Sequence, residues 1–211
     1  MINGARGIIW DWNGTLLDDA SLAVSTMNQM LGKRGLPLLS IDSYKSVFTF
    51  PVKDYYQKIG FDFEIEPFEI PANEFIELYN NGLSKCALHE HARNTLNHFR
   101  LIGLKQYILS AMEQQVLDQC LKDYQIDHFF DFALGLDNIY AASKIGNGHR
   151  LIAEQKLDPG KLVLIGDTVH DFEVATALGC QCILIADGHQ SEIVLQATGA
   201  RVLRSIAELL D

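Results

Sequence analysis

The sequence predicts an α/β fold: a doubly wound parallel sheet with a small helical domain inserted after its first strand. Short, unbroken apolar runs such as residues 7–10 recur along the chain and alternate with helical patterns, as expected for strands buried on both faces of a parallel sheet. Between the first two runs, from Asp19 to about Leu101, helical patterns occur without a convincing strand. That stretch is too long for one crossover helix, and it therefore indicates an inserted domain.

In chain order, the apolar runs predict strands at residues 7–10, 104–109, 132–136, 162–165 and 182–185. Helical patterns flank these strands at residues 92–102, 114–124, 148–155, 172–178 and 191–198. Within the insertion, the turn and capping residues predict four helices, at residues 20–34, 40–48, 51–60 and 72–86. We therefore assign residues 1–18 and 88–211 to a core domain and residues 19–87 to a helical domain.

Charge and composition exclude several classes of partner. The chain has 17 basic and 27 acidic side chains, and the net charge of −10 is spread without an acidic block, so nucleic acid and anionic membranes are not expected partners. No apolar run approaches the roughly 20 residues that span a bilayer. The four cysteines form no CxxC pair and indicate neither a disulfide framework nor a zinc site. We expect a soluble cytoplasmic protein, a monomer or a small homo-oligomer.

Polar residues follow the predicted strands at the point where each strand ends. They are Asp11 to Thr15 after the first strand, Ser110 and Ala111 after the second, Lys144 after the third, and Gly166 to Asp171 after the fourth. Because ligands bind beyond the carboxyl ends of parallel strands, these residues are the candidate site. Carboxylates suit a hard metal ion and a fixed cation suits phosphoryl oxygens, so the set predicts a site for Mg²⁺ and phosphate.

These residues resemble the four motifs of the haloacid dehalogenase-like hydrolases, and most closely the phosphoglycolate phosphatase-like branch with a helical cap. The motifs, in chain order, are residues 11–18 (DWNGTLLD), Ser110, Lys144, and Gly166-Asp167 with Asp171. All four occur in order, the resemblance covers essentially the whole chain, and the insertion lies where that family carries its cap. The resemblance implies a phosphatase that acts on a small phosphorylated metabolite through an aspartyl-phosphate intermediate at Asp11.

The resemblance also implies a role for each residue. Catalysis is assigned to Asp11, Asn13, Ser110 and Lys144; substrate binding to Gly14, Thr15, Ser110, Ala111 and Lys144; and the Mg²⁺ site to Asp11, the main-chain carbonyl of Asn13, Asp167 and Asp171. Lys144 is followed by Ile145 and Gly146, where many relatives have a proline. The sequence around Lys144 therefore matches the family pattern less closely than the sequences around Asp11 and Asp167 do.

Asn13 departs from the family pattern. Hydrolytic members normally have a second aspartate at this position, which protonates the leaving oxygen and later activates water, and an amide can do neither. The residue is an adaptation to a substrate with a good leaving group, the mark of a protein that binds phosphate compounds with little turnover, or a site of deamidation at the Asn13-Gly14 pair. A weakened phospholigand-binding or regulatory protein and a phosphonate hydrolase with Lys53 as its lysine are therefore alternatives to the phosphatase.

Several other residues have simpler interpretations. We expect Asp18 and Asp19 to open a helix and favour its dipole, and His89 and His91 to lie at a solvated helix start. His170 is a candidate substrate contact. The aromatic residues around Phe48 and Tyr55 are expected in the core of the cap, and some of them can line the substrate.

Overall fold

Six parallel strands form the main sheet of the computed structural model, which describes residues 2, 4–136 and 144–210. The strands are β1 (Gly7–Trp10), β2 (Leu17–Asp18), β3 (Ala87–Leu88), β4 (Lys105–Glu113), β5 (Phe132–Leu136), β6 (Leu162–Gly166), β7 (Gln181–Ile185) and β8 (Arg201–Leu203). The order across the main sheet is β5-β4-β1-β6-β7-β8, and β2 and β3 form a separate antiparallel pair. The predicted α/β fold is confirmed.

The helices of the described residues are α1 (Ala20–Lys33), α2 (Ile41–Val47), α3 (Val52–Lys58), α4 (Glu69–Gly82), α5 (Ala92–Leu101), α6 (Gln114–Asp123), α7 (Lys144–Glu154), α8 (Val169–Leu178) and α9 (Glu192–Gln196), with short 3₁₀ turns between some of them. Helices α5 and α6 pack on one face of this sheet and α7 and α8 on the other. None of the helices within the described residues is long and apolar enough to cross a membrane.

The two faces follow from the alternation of side chains along each strand. Ile8 and Trp10 of β1 pack with α5 and α6 in one apolar cluster, whereas Ile9 packs with α7 and α8 in another. All three side chains are fully buried. A strand buried on both faces reads as an unbroken apolar run, which is why residues 7–10 could be recognised in the sequence.

Strand register brings the candidate residues to one edge of the sheet. Trp10 is paired with Ile108 of β4 and with Ile165 of β6. Asp11 is the next residue after Trp10, so it lies at the same edge of the sheet as the residues after Ile108 and Ile165. The polar ends of β1, β4 and β6 therefore converge.

Helices α1–α4 form the helical insertion, which leaves the core after β2 and returns through β3. It has its own apolar cluster, with Met27, Met30, Tyr44 and Tyr55 among its buried members. The prediction of no strand in this stretch was wrong at Ala87–Leu88, which pairs with Leu17–Asp18. A strand of two residues is too short to carry a periodic pattern.

Other element boundaries also differ from the prediction. Strand β4 extends to Glu113, and helix α7 begins at Lys144 instead of residue 148. The edge strand β8 was not predicted, because its three residues include one exposed arginine, Arg201, and form no apolar run. The longer α7 places the candidate site residue Lys144 on the first turn of a helix.

Candidate active site

Asp11, Asp167 and Asp171 form a buried carboxylate cluster. Their ligand oxygens lie within 4.8 Å of one another, and the three residues are 6%, 0% and 2% exposed. Asp11 directly follows β1, Asp167 directly follows β6, and Asp171 lies on the first turn of α8. The site residues predicted from two distant parts of the sequence therefore meet at one point.

Lys144 is the cation of this cluster. Its Nζ lies 2.5 Å from Asp11 Oδ1 and 2.5 Å from Asp171 Oδ1. Burial disfavours its charge, but the attraction of the two carboxylates outweighs burial and holds the pKa of Lys144 above its ordinary value. Burial likewise opposes ionisation of Asp171, yet Lys144 holds the pKa of Asp171 below its usual range. The placement at a helix start makes Lys144 a fixed bridge between two carboxylates.

The remaining two carboxyl groups lack enough positive charge around them. Burial raises the pKa of Asp11 to about 6, against the attraction of Lys144, and burial raises the pKa of Asp167 well above its ordinary value. Three carboxylates with one lysine leave an excess of negative charge in a water-poor site, which is unfavourable without a further cation. Oxygen ligands in this number and spacing fit a hard divalent cation such as Mg²⁺.

The candidate phosphate-binding groups lie in the turn after β1 and within β4, because Ser110 and Ala111, predicted to follow their strand, are part of the longer β4. Gly14 has φ +74°, and a Cβ there would lie 2.2 Å from Asp167 Oδ2, so a larger residue would disrupt the cluster. The hydroxyl of Thr15 donates to Asp167 Oδ1 at 2.9 Å. The hydroxyl oxygen of Ser110 accepts from the Met112 amide at 3.0 Å, and Ser110 is fully buried. Thr15 and Ser110 thus have local partners in this structure, while Ala111 lines the adjoining cavity.

Asn13 is held by the helical insertion. Its Nδ2 donates to the hydroxyl oxygen of Tyr79 at 2.7 Å and to Asp19 Oδ2 at 3.1 Å. The Gly14 amide, which would attack the Asn13 side chain in deamidation, is engaged with Asp19 Oδ1 at 2.7 Å and with Leu17 O at 2.9 Å. These contacts oppose deamidation and show that an amide at position 13 matches its surroundings.

Asp19 and His189 form a buried pair that the sequence analysis did not identify. Asp19 is 1% exposed, and its Oδ1 lies 3.3 Å from His189 Nε2. Burial opposes both charges, but their mutual attraction lowers the pKa of Asp19 and raises the pKa of His189 to about 9. The imidazolium Nδ1 then donates to Tyr44 Oη at 2.8 Å, and the His189 amide donates to Asp167 Oδ2 at 2.6 Å.

Two interpretations are corrected here. The Asp19 side chain makes no capping hydrogen bond to α1; it faces inward, because the Gly14 amide, Tyr79 and His189 supply its partners. His89 does not lie in solvent: it is 9% exposed, and its Nε2 donates to Gly14 O at 3.0 Å. Both residues brace the Gly14 turn, a role that local sequence patterns do not encode.

The comparisons with known proteins agree with this geometry. The family model described as haloacid dehalogenase-like hydrolase matches residues 8–185. The chain belongs to this family. The family predicted from the four motifs, and with it the assignment as a hydrolase, is confirmed.

Relatives of this hydrolase include two differently named enzymes. A phosphoglycolate phosphatase from Caulobacter vibrioides is 23% identical over 99% of the chain and 90% of the relative. A tyrosine-protein kinase, PtkA, from Mycobacterium tuberculosis is 22% identical over 96% of the chain and 69% of the relative. Among solved structures, a haloacid dehalogenase-like hydrolase from Bacteroides fragilis has a TM-score of 0.84 at 18% identity, covering 97% of this chain and 99% of that one.

A cavity of about 250 Å³ separates the helical insertion of this hydrolase from the sheet edge. It reaches Asp11 and Lys144 on the core side, and its wall is mostly apolar. The aromatic residues in the wall are Tyr44, Phe48, Phe50, Tyr55, Tyr56, Phe68, Phe75 and Tyr79. His170 also lines it and stacks on Phe50 with ring centroids 4.8 Å apart. Exposed Lys53 is not among the described lining residues; its Nζ lies 5.5 Å from the centre of the Phe63 ring.

Proposed function

We propose that this haloacid dehalogenase-like hydrolase is a Mg²⁺-dependent phosphomonoesterase that acts on a small phosphorylated metabolite. The observation that carries the proposal is the buried cluster of Asp11, Asp167 and Asp171 bridged by Lys144. The phosphoglycolate phosphatases among the relatives support the same reaction class.

Asp11 is the nucleophile. One carboxylate oxygen of Asp11 attacks phosphorus, the bond to the leaving oxygen breaks, and an aspartyl phosphate forms. Water then attacks phosphorus, the bond between phosphorus and the Asp11 oxygen breaks, and the proton of the water passes to solvent as phosphate is released. Lys144 orients Asp11 and offsets its charge as the phosphoryl group approaches. Asp11, Asp167, Asp171 and the main-chain carbonyl of Asn13 would hold Mg²⁺, which when bound supplies the positive charge that reduces repulsion between carboxylate and phosphate.

Asn13 sets the rate of this reaction. The leaving oxygen receives no proton from position 13, and the attacking water loses none to it, so turnover is slow for substrates whose leaving group needs protonation. The same residue favours a second candidate, a phospholigand-binding or regulatory protein with little turnover. The phosphonate alternative loses support, because Lys53 contacts Phe63 and Phe68 on the insertion instead of lining the cavity.

The test compares Mg²⁺-dependent phosphate release by the native protein, Asp11→Asn and Asn13→Asp. We expect native activity that requires metal and is lost in Asp11→Asn. Asn13→Asp should gain up to about 10²–10⁴-fold on alkyl phosphates, the usual contribution of general acid–base catalysis. If the native protein is inert on every phosphate while Asn13→Asp is active, the phospholigand-binding candidate takes first place.

We further propose that residues 19–87 act as a cap domain over the core, which comprises residues 1–18 and 88–211. Contacts between the insertion and the loop after β7 support this role. Gln190 Nε2 donates to Phe48 O at 2.8 Å, and the Ser191 amide donates to Lys45 O at 3.0 Å. A cytoplasmic location and a monomer or small homo-oligomer belong to the same proposal.

A further inference from the structure

We propose that the substrate of this enzyme is a small aryl phosphate, a phosphate monoester of a phenol, whose ring occupies the aromatic cavity while its phosphoryl group meets Asp11. The proposal rests on the phosphomonoesterase function proposed above. Two independent features lead to it: the wall of the cavity and the amide at position 13.

The cavity has the size and the surface that an aromatic ring requires. Its volume is about 250 Å³, whereas a cavity of about 150 Å³ is enough to hold benzene. Phe48 lies at the centre of an aromatic group, with ring centroids 5.2 Å from Tyr55, 5.5 Å from Phe50 and 5.4 Å from His189. These separations are within the range in which aromatic rings attract one another, so a further ring can join the group.

The described lining of the cavity offers no unpaired lysine or arginine to a second negative charge on the substrate. Among the described residues that line it, Lys144 is the only lysine or arginine, and Lys144 is already bound to Asp11 and Asp171. The charge of His189 is paired with Asp19. His170 also lines the cavity, and its Nδ1 lies 3.3 Å from Glu173 Oε2. A substrate carboxylate, as in phosphoglycolate, would therefore find no unpaired cation in the described lining and would lie largely against aromatic carbon, which is unfavourable without a counter-ion.

Asn13 favours the same substrate class for a separate reason. A phenol has a pKa of about 10, whereas an unactivated hydroxyl such as that of water has a pKa of about 15.7. When Asp11 attacks phosphorus, the bond to the aryl oxygen breaks and the phenolate leaves with the electron pair, taking its proton from water afterwards. A phenolate is stable enough to leave unprotonated, so the step that forms the aspartyl phosphate from an aryl phosphate needs no acid at position 13.

Four substrates separate the contribution of the ring from that of the leaving group. Phenyl phosphate has both the ring and a good leaving group, benzyl phosphate has the ring with an alcohol leaving group, acetyl phosphate has a good leaving group without the ring, and phosphoglycolate has neither. We expect phenyl phosphate to exceed benzyl phosphate in kcat/KM, which reports the step in which the leaving group departs, by about 10²-fold or more, because no acid assists benzyl alcohol. We expect a lower KM for phenyl than for acetyl phosphate.

Binding is measured separately from turnover with two phosphonates. Their phosphorus is bonded to carbon, so they have no phosphate ester bond to hydrolyse. Phenylphosphonate should bind the Mg²⁺-loaded protein about tenfold or more tighter than methylphosphonate, because the ring is buried. Phe50→Ala, which removes a half-buried ring from the wall, should reduce this ratio. Ile65→Ala is the matched control on the same insertion, at a residue that is 82% exposed, and should leave the ratio unchanged.

The outcomes are distinct. If acetyl phosphate is hydrolysed but the ring improves neither KM nor phosphonate binding, or if phosphoglycolate is preferred, the aryl assignment is wrong and the phosphatase stands. If no substrate is hydrolysed, including acetyl phosphate, the proposed function itself fails and the aryl assignment with it. A phosphotyrosine peptide preferred over phenyl phosphate would overturn the assignment to a small molecule.

Discussion

Two adjacent aspartates show how strongly environment separates residues of one type. Asp18 is exposed, whereas Asp19 is buried and pairs with His189, Tyr79 and the Gly14 amide. From the sequence alone, both residues are predicted to be acidic residues at a helix start. What distinguishes them is contact with His189 and Tyr79, which lie far away in the chain.

Asp19→Asn should therefore destabilise the protein, because it leaves the charge of His189 buried without its partner. Breaking a buried pair costs about 3–5 kcal/mol, measurable as a fall in the free energy of unfolding in urea. Asp18→Asn is the control, expected within about 0.5 kcal/mol of the native protein. Adding His189→Gln to Asp19→Asn should recover part of the loss; equal effects of the two aspartate variants would contradict the pair.

Asp11, Asp167, Asp171 and Lys144 could be predicted because each follows an apolar run or belongs to a motif with fixed spacing. Asp19, His89 and His189 could not, because their partners come from other segments. His189 follows the strand β7, and that position beyond a strand end was the available signal for it.

At the scale of elements, the packing of α7 decides where Lys144 lies. Gly148 of α7 faces α8 closely: a Cβ there would lie 2.6 Å from Leu178 Cδ1 and 3.2 Å from Leu109 Cδ2. The small residue lets α7 approach the sheet, so that the first residue of the helix reaches Asp11 and Asp171.

Gly148→Leu should push α7 away from α8 and move Lys144. We expect a loss of about 1–3 kcal/mol in unfolding free energy from overpacking, together with a lower kcat for the assay substrate. Gly32→Leu is the matched change in α1, where nothing lies within 4 Å of the added Cβ, and removing a helical glycine there should stabilise by up to about 1 kcal/mol. Unchanged kcat in Gly148→Leu would show that α7 does not position Lys144.

Most helices and strands could be predicted from the sequence, and the elements that were missed have physical explanations. Buried central strands such as β1 and β6 are continuous apolar runs. The pair β2–β3 and the edge strand β8 are too short or too polar for a pattern. Helix α7 begins at Lys144, which makes ion pairs with Asp11 and Asp171, and periodicity alone did not predict this start.

For the whole molecule, we expect the carboxylate cluster to couple folding to pH and to the proposed Mg²⁺. The pKa of Asp11 is raised from 3.8 to about 6 in the folded state. A carboxyl group with a raised pKa favours the folded state below its ordinary pKa, and this contribution is lost as the pH rises through the folded-state value. Mg²⁺ requires the ionised carboxylates, so its stabilising effect should grow as the pH rises through about 6.

Thermal unfolding with EDTA or with excess Mg²⁺, at pH 5 and at pH 7.5, checks this coupling. Metal at 100 times its Kd contributes about 2.7 kcal/mol, which for a chain of this length raises Tm by about 5–10 °C. We expect that rise at pH 7.5 and a much smaller one at pH 5. Asp167→Asn should remove it; a rise independent of pH, or one retained in Asp167→Asn, would show that the metal binds elsewhere.

The central position of β1 governs when the site forms during synthesis. Strand β1 is made first, yet both of its neighbours, β4 and β6, come from much later in the chain. At about 5–20 residues per second, a ribosome needs on the order of ten seconds to pass from Asp11 to Asp167. Throughout that interval Asp11 follows an unpaired apolar strand of the nascent chain, and an exposed strand of this kind is the form in which a growing chain is most prone to aggregate.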